Sequence, residues 1–440
     1  MTTIDTETTW ADLPPLPHTA EDTGLRLDLI TQQLLKSLNA AGDLTGTELA
    51  DSVGLPFSAV DSAIDSMKVQ RLCEIVGGSV IGAPSYRYRI SSLGRERALA
   101  ALAHNMYIGP APVPLRTYSE YMRQFAEDMR RRISMETVRA AFSHLVLSEN
   151  VLNQLGPAVN SGHSLFIYGP PGNGKTVVAQ AIGNMMAGDL WIPHAVEVDG
   201  AIIKLYDPIN HQRLEEPGPG HGIEAEHQYD RRWVRCRRPV VTVGGELQMD
   251  GLDLTYSRVS GFYRAPMQML ANGGVLVIDD FGRQRCSPQE LLNRWIHPLE
   301  SRVDYLTLQS GQKIDVPFLV LPVFATNIKP AELVDEAFLR RIQYKVFAEN
   351  PTADDFTQIF KNVCREKGLE FDAAIVRHVI DGLLEPRKIP LRGCQPRDLI
   401  NMALALAQYR DEPRHLTVPL LEAACASYFV DEDQGLSTLR

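Results

Sequence analysis

Leu165-Phe-Ile-Tyr168-Gly169-Pro170-Pro171-Gly172-Asn173-Gly174-Lys175-Thr176-Val177 is the stretch on which the reading of this chain turns. Four apolar residues, the pattern of a short buried strand, run into a turn of the form GxxxxGK[ST]. Glycines at these spacings let backbone N–H groups converge on phosphate oxygens, because no Cβ blocks the approach. The apolar rhythm that follows predicts a helix beginning near Lys175, with the positive end of its dipole at the same turn. Gly169 to Val177 are therefore candidate nucleotide-binding residues. Lys175 is placed to reach the β- and γ-phosphates, and the Thr176 hydroxyl to take a position on Mg²⁺.

Working outward, Val275-Leu-Val-Ile278 reads as a second buried strand and ends in Asp279-Asp280. Ligands of open α/β sheets bind at the carboxyl ends of strands, so Asp279 is expected to orient Mg²⁺ and Asp280 to polarise an attacking water. A third apolar run, Leu319–Ala325, ends in Thr326-Asn327, and the Asn327 amide is suited to hold that water. Further on, Arg340-Arg341 close a short helical stretch, and Arg397 lies in the first turn of another. A cation at a helix N-terminus opposes the dipole, which suggests that Arg397 has work there. From about residue 145 to 350, apolar strands alternate with helical stretches, the pattern of a parallel α/β sheet, and residues 351–440 read as helical.

Taken in order, GPPGNGKT, VLVIDD, FATN, Arg340/Arg341 and Arg397 resemble the Walker A, Walker B, sensor 1, arginine-finger and sensor 2 blocks of the AAA+ ATPases. The resemblance implies a P-loop domain with a helical lid, ATP and Mg²⁺ as ligands, and a homo-oligomeric ring, usually a hexamer. Arg340 or Arg341 would then serve the neighbouring subunit's γ-phosphate. One departure stands out: the family usually has Glu where this chain has Asp280, which leaves slow turnover or an adjusted geometry open. The stretch Tyr305–Phe318 reads as a β-hairpin just before the sensor 1 strand. It is similar to the pre-sensor-1 hairpin group, which includes MoxR-like chaperones. Blocks such as RRPVVTVGGEL and LLNRWIHPLE resemble a bacterial group described as predicted ATPases with chaperone activity and linked to Flp pilus assembly. An insert around Gly244–Tyr263 would face the ring axis, with Tyr256, Phe262 and Tyr263 either gripping substrate or simply packing.

The rest of the chain is less decisive. Residues 1–24 read as a disordered tail and residues 25–108 as a winged-helix-like domain. Residues 109–144 read as a proline-spaced linker followed by a helix. The candidate recognition helix around Ser58–Val69 carries Asp61 and Asp65 against Lys68, an unfavourable surface for DNA, so a protein-contact or ring-capping role is preferred. With 44 basic and 54 acidic residues the net charge is −10, which also argues against sequence-independent nucleic-acid binding. The Arg231–Arg238 run is read as a solvated inter-subunit face meeting acids such as Glu215, Glu216 and Asp230. His211, His221, His227 and Cys236 lack zinc-type spacing, so no structural metal is expected. No apolar run approaches the ~18 residues needed to span a bilayer, and the six scattered cysteines suggest a reducing cytoplasm. The expectation is an ATPase that remodels a protein partner. A DNA-associated motor or regulator and a slow nucleotide switch are the alternatives.

Overall fold

A computed structural model describes residues 13–78, 82–128, 133–186, 188–215, 229–333 and 336–429. Glu216, His221 and His227, singled out above, lie outside them. The chain forms two compact units: residues 1–132, 186–276 and 284–322 make the first, and residues 133–185, 277–283 and 323–440 the second.

The first unit opens with the N-terminal module. Helix Leu27–Ala41 places Ile30, Leu34 and Leu38 on one face, and all three are fully buried. Helix Gly46–Ser52 starts with a capping box between Thr45 and Glu48, a device worth about 1 kcal/mol. Helix Phe57–Val69 follows and buries Val60, Ile64 and Met67. A three-stranded sheet of Leu44–Thr45, Tyr86–Ile90 and Cys73–Gly78, in that order, and helix Ser92–His104 complete the module. The module thus consists of three helices, a three-stranded sheet and a closing helix.

Two expectations fail here. The tail does not extend to residue 24: Glu21–Thr23 form a 3₁₀ turn, Thr23 is buried, and the Pro14 carbonyl accepts the Asp230 N–H at 3.1 Å. Nor is Gly109–Pro114 a free linker. Val113–Pro114 pairs in parallel with Ala195–Val198, as the edge of a five-stranded sheet that also holds Ala201–Lys204, Phe262–Arg264 and Thr255–Ser257. Proline is tolerated there because an edge strand can forgo one donor.

The basic run is also corrected. Trp233–Arg237 is a strand paired antiparallel with Asp189–Pro193, and Arg231, Arg232, Arg235 and Arg238 are tied within the unit. Arg232 is buried and doubly bonded to the equally buried Asp230, while its remaining nitrogen donates to the Thr23 and Pro112 carbonyls. Arg238 donates to the Gly273 carbonyl and lies 5.2 Å from the centre of the Phe125 ring. Arg231 and Arg235 pair with Asp51 and Asp189. These guanidiniums are used in joining segments, so they form no solvated face. The expected hairpin exists as Val303–Thr307 paired with Lys313–Pro317. Of the three insert aromatics, Tyr263 is buried with its hydroxyl accepting from the Gln309 N–H, and Phe262 packs on Tyr107. Both are packing residues.

The central sheet has five strands, which we number β1 (Leu165–Tyr168), β2 (Val240–Val243), β3 (Val275–Ile278), β4 (Leu321–Thr326) and β5 (Tyr344–Phe347). Their spatial order is β2-β3-β4-β1-β5, and β4 and β5 each pair in parallel with β1. Every residue of β3 and β4 is buried, which is why both read as unbroken apolar runs rather than alternating ones. In the second unit, Phe166, Phe281 and Phe324 pack with ring centres 4.9 to 5.7 Å apart. Helices Ala353–Lys367, Gln395–Tyr409 and Val418–Tyr428 close over a separate core that includes Phe356, Phe360, Leu399 and Leu421.

Candidate active site

All the residues of the candidate site lie in the second unit. Strand β1 delivers the chain into the glycine turn, where Gly169, Gly172 and Gly174 have φ of +147°, +82° and +70°. A Cβ on Gly169 would stand 2.5 Å from the Ala348 carbonyl oxygen, and one on Gly172 would stand 2.6 Å from Cys394 Sγ. At Gly174 a Cβ would meet nothing within 4 Å. The first two glycines are therefore required by backbone conformation and by crowding, the third by conformation alone. Pro170 and Pro171 stiffen the turn between them. Helix Lys175–Met185 begins where the sequence places it, with Val177 exposed in its first turn.

Lys175 is buried, and its ammonium donates to the carbonyls of Gly169 at 3.1 Å and Pro170 at 2.8 Å. Burial pulls its pKa below the usual lysine range, against the opposing pull of Asp280 and Asp279. Next to it, the Thr176 hydroxyl lies 2.9 Å from each oxygen of Asp279. Asp279 also accepts the Asp280 N–H at 3.0 Å, and the Asn327 amide donates to Asp280 at 3.2 Å. The register behind this row is set by two bonds of 2.7 Å, Phe281 N–H to the Ala325 carbonyl and Thr326 hydroxyl to the Phe281 carbonyl. They lock the turn after β3 against the tip of β4. This is a parallel α/β core that carries a phosphate-loop turn at the carboxyl ends of its strands.

Asp280 has φ of +47°, a left-handed backbone that non-glycine residues rarely adopt and that Asp and Asn tolerate best. That conformation supplies a physical reason for the shorter acid at this position.

Five of the residues picked from the sequence thus come together: Lys175, Thr176, Asp279, Asp280 and Asn327. The arginines do not join them. Arg340 is well exposed and pairs with Glu336 at 3.2 Å. Arg341 ends the same helix, Glu336–Arg341, and its carbonyl accepts from the Ser164 hydroxyl. Arg397 is exposed and bonded to Asp398 at 3.3 Å. Asn173 is expected from the sequence only as one of the nucleotide-binding residues, and nothing in the motifs points to Arg392 or Cys394. Asn173 carries a set of side-chain bonds, and Arg392 bonds Asn350. The only hint was their place beside glycines that other chain segments approach.

The residues fit a magnesium nucleotide. Mg²⁺ is usually held by one or two carboxylates together with substrate phosphates and water, and Thr176 with Asp279 offers one hydroxyl and one carboxylate at adjacent positions. Among the described residues, no group of three or more His, Cys, Asp or Glu side chains is placed to hold a metal ion. No described helix is long and apolar enough to cross a membrane.

Comparison with known proteins adds the following. The family described as "Domain of unknown function (DUF8689)" matches residues 352–427, the C-terminal helices. No curated protein matches the chain. Among solved structures, NtrX from Brucella abortus is similar at 17% identity and a TM-score of 0.41, over 74% of this chain and 64% of that one. The RuvB Holliday junction branch migration motor of Thermotoga maritima is similar at 16% identity and a TM-score of 0.36, over 66% of this chain and 72% of its own. The chain thus spans somewhat less than two thirds of the NtrX chain. The fold assignment rests on the sheet order and the phosphate loop.

Proposed function

We propose that this chain is an AAA+ ATPase that couples hydrolysis of Mg·ATP to the remodelling of a protein partner. The observation that carries the reading is the hydrogen-bonded row Thr176–Asp279–Asp280–Asn327 standing beside the buried Lys175 ammonium. In this reading Lys175 exchanges its two carbonyl partners for phosphate oxygens, which repays the cost of holding a cation out of water. Backbone N–H groups of residues 172–176 bind phosphate at the helix N-terminus. Thr176 and Asp279 hold Mg²⁺, which when bound neutralises charge on the phosphates. Asp280 accepts a proton from the attacking water, and Asn327 orients that water and the Asp280 carboxylate.

The exposed Arg340 supports a finger that acts on an adjoining subunit, as does Arg341 at the same helix end, and Arg397 is the candidate reporter to the C-terminal helices. A homo-oligomeric ring, in its commonest form a hexamer, follows from that division of labour. The hairpin Val303–Pro317 ahead of β4 favours the MoxR-like, chaperone side of the family. In the narrowest form of the proposal, the partner belongs to Flp-type pilus assembly. Binding of DNA by the N-terminal module is disfavoured by its own contacts: Arg89 is paired with Asp43, and Lys68 with Asp65.

The test is steady-state phosphate release from Mg·ATP by the wild type, Lys175→Ala and Asp280→Asn, with light scattering to follow assembly. Turnover in the wild type, lost in both variants and restricted to the assembled form, supports the proposal. Normal turnover in Lys175→Ala, or full activity of a monomer, refutes it.

A further inference from the structure

Asn173 sits inside the phosphate loop, yet its side chain does not face along the loop. Its amide nitrogen donates to the Glu349 carbonyl at 3.0 Å and to Asn350 Oδ1 at 2.9 Å. Its oxygen accepts the Gly393 N–H at 3.2 Å. One half-buried side chain thus joins three segments: the loop itself, the connection from β5 into helix Ala353–Lys367, and the turn that leads into helix Gln395–Tyr409.

Neighbouring contacts reinforce the junction. The Cys394 N–H donates to the Gly172 carbonyl at 2.8 Å, and Arg392 donates to the same Asn350 oxygen at 2.8 Å. Asn350 Oδ1 therefore receives one donor from the loop and one from the turn. Arg392 N–H is in turn held by Gln395 Oε1 at 2.9 Å, which ties this turn to the start of the helix after it. The lack of a Cβ at Gly172 is what lets Cys394 approach so closely.

We propose that Asn173 is a positioning residue that clasps the phosphate loop to both entrances of the C-terminal helices, so that occupancy of the loop is transmitted to them. The nucleotide part of this proposal rests on the ATPase reading above; the clasp itself does not. Phosphate drawn onto the N–H groups of residues 172–174 shifts the loop, and Asn173 carries that shift to residues 349–350 and 393 at once. Arg397, paired with Asp398 at the surface, makes no such junction in this structure.

Hydrogen exchange read by mass spectrometry over residues 391–398 and 345–352 tests this, using the full chain with and without Mg·ADP, together with direct measurement of ADP affinity. Without nucleotide, Asn173→Ala should exchange about 5- to 10-fold faster in both segments, the effect of losing one or two modest hydrogen bonds. Asn173→Asp separates the two arms. Its carboxylate still accepts from Gly393 but sets an acceptor oxygen against the Glu349 carbonyl and the Asn350 amide oxygen, which lose their donor, so only residues 345–352 should loosen. With Mg·ADP at concentrations that saturate each protein, as fixed by the affinity measurement, the wild type should be protected in both segments, whereas Asn173→Ala should lose that protection. Unchanged exchange in the nucleotide-free variants overturns the clasp. Protection by bound ADP that survives in Asn173→Ala, or is missing in the wild type, overturns the transmission. A wild type that binds no ADP defeats the ATPase reading instead, and the nucleotide-free comparison still decides the clasp.

Discussion

Asp280→Glu, which would install the residue usual at this position in the ATPases that the sequence resembles, should make the protein worse. The backbone at Asp280 is left-handed, with φ of +47°. Short Asp and Asn side chains are enriched there, and a longer side chain gives up about 1 kcal/mol of that tolerance. The extra methylene also moves the carboxylate by roughly 1 Å from the position where Asn327 now holds it at 3.2 Å. Misplacement on that scale costs up to ~10²-fold in rate. We therefore expect kcat for ATP hydrolysis to fall about 10- to 100-fold and Tm to fall about 2–4 °C. Asp280→Asn provides the control. It tolerates the same backbone and still accepts the Asn327 bond, so Tm should stay put while loss of the base lowers kcat by ~10²–10⁴-fold. Phosphate release under saturating Mg·ATP, paired with thermal unfolding, reads both quantities. A glutamate variant as fast as or faster than the wild type would refute the argument that backbone conformation selected aspartate.

Three further outcomes are expected. Gly169→Ala must place its Cβ 2.5 Å from a backbone oxygen at φ of +147°, so it should lose more than ~2 kcal/mol, whereas the uncrowded Gly174→Ala should lose only about 1 kcal/mol; urea unfolding compares them. Arg232→Ala leaves the buried Asp230 carboxylate without its cation and should destabilise the first unit by about 3–5 kcal/mol, read as a lower urea midpoint for that unit. Lys36 is buried against Asn105, and desolvation lowers its pKa from 10.5 to about 8. Between those values the unfolded chain binds more protons at this lysine, so its contribution to stability should rise with pH across the window, by on the order of 3 kcal/mol in all. The buried cysteines, whose pKa burial raises, work the other way in this window and act equally in both proteins, so the rise is read as the difference in urea midpoint between the wild type and Lys36→Met from pH 7.5 to 10.

Much of the second unit was legible because its chemistry is local. A phosphate loop needs glycine, lysine and threonine at set spacings along one turn, and buried parallel strands need uninterrupted apolar runs. Both requirements are written in consecutive residues, so 165–177, 275–280 and 321–327 could be read directly. Arg231–Arg238 misled for the opposite reason. Charge density along the chain says nothing of partners, and Asp51, Asp189 and the Thr23 and Pro112 carbonyls come from distant segments.

By itself, then, the order of residues determined that a P-loop sheet forms, where its strands end, and which side chains stand at those ends. Only the tertiary structure decided that Val113–Pro114 is a sheet edge rather than a linker, that Asp280 is left-handed, and that Asn173 reaches residues 349, 350 and 393. Spacing within a turn is a property of neighbouring residues. Hydrogen bonds across more than 170 positions exist only once burial of apolar faces has brought remote segments together.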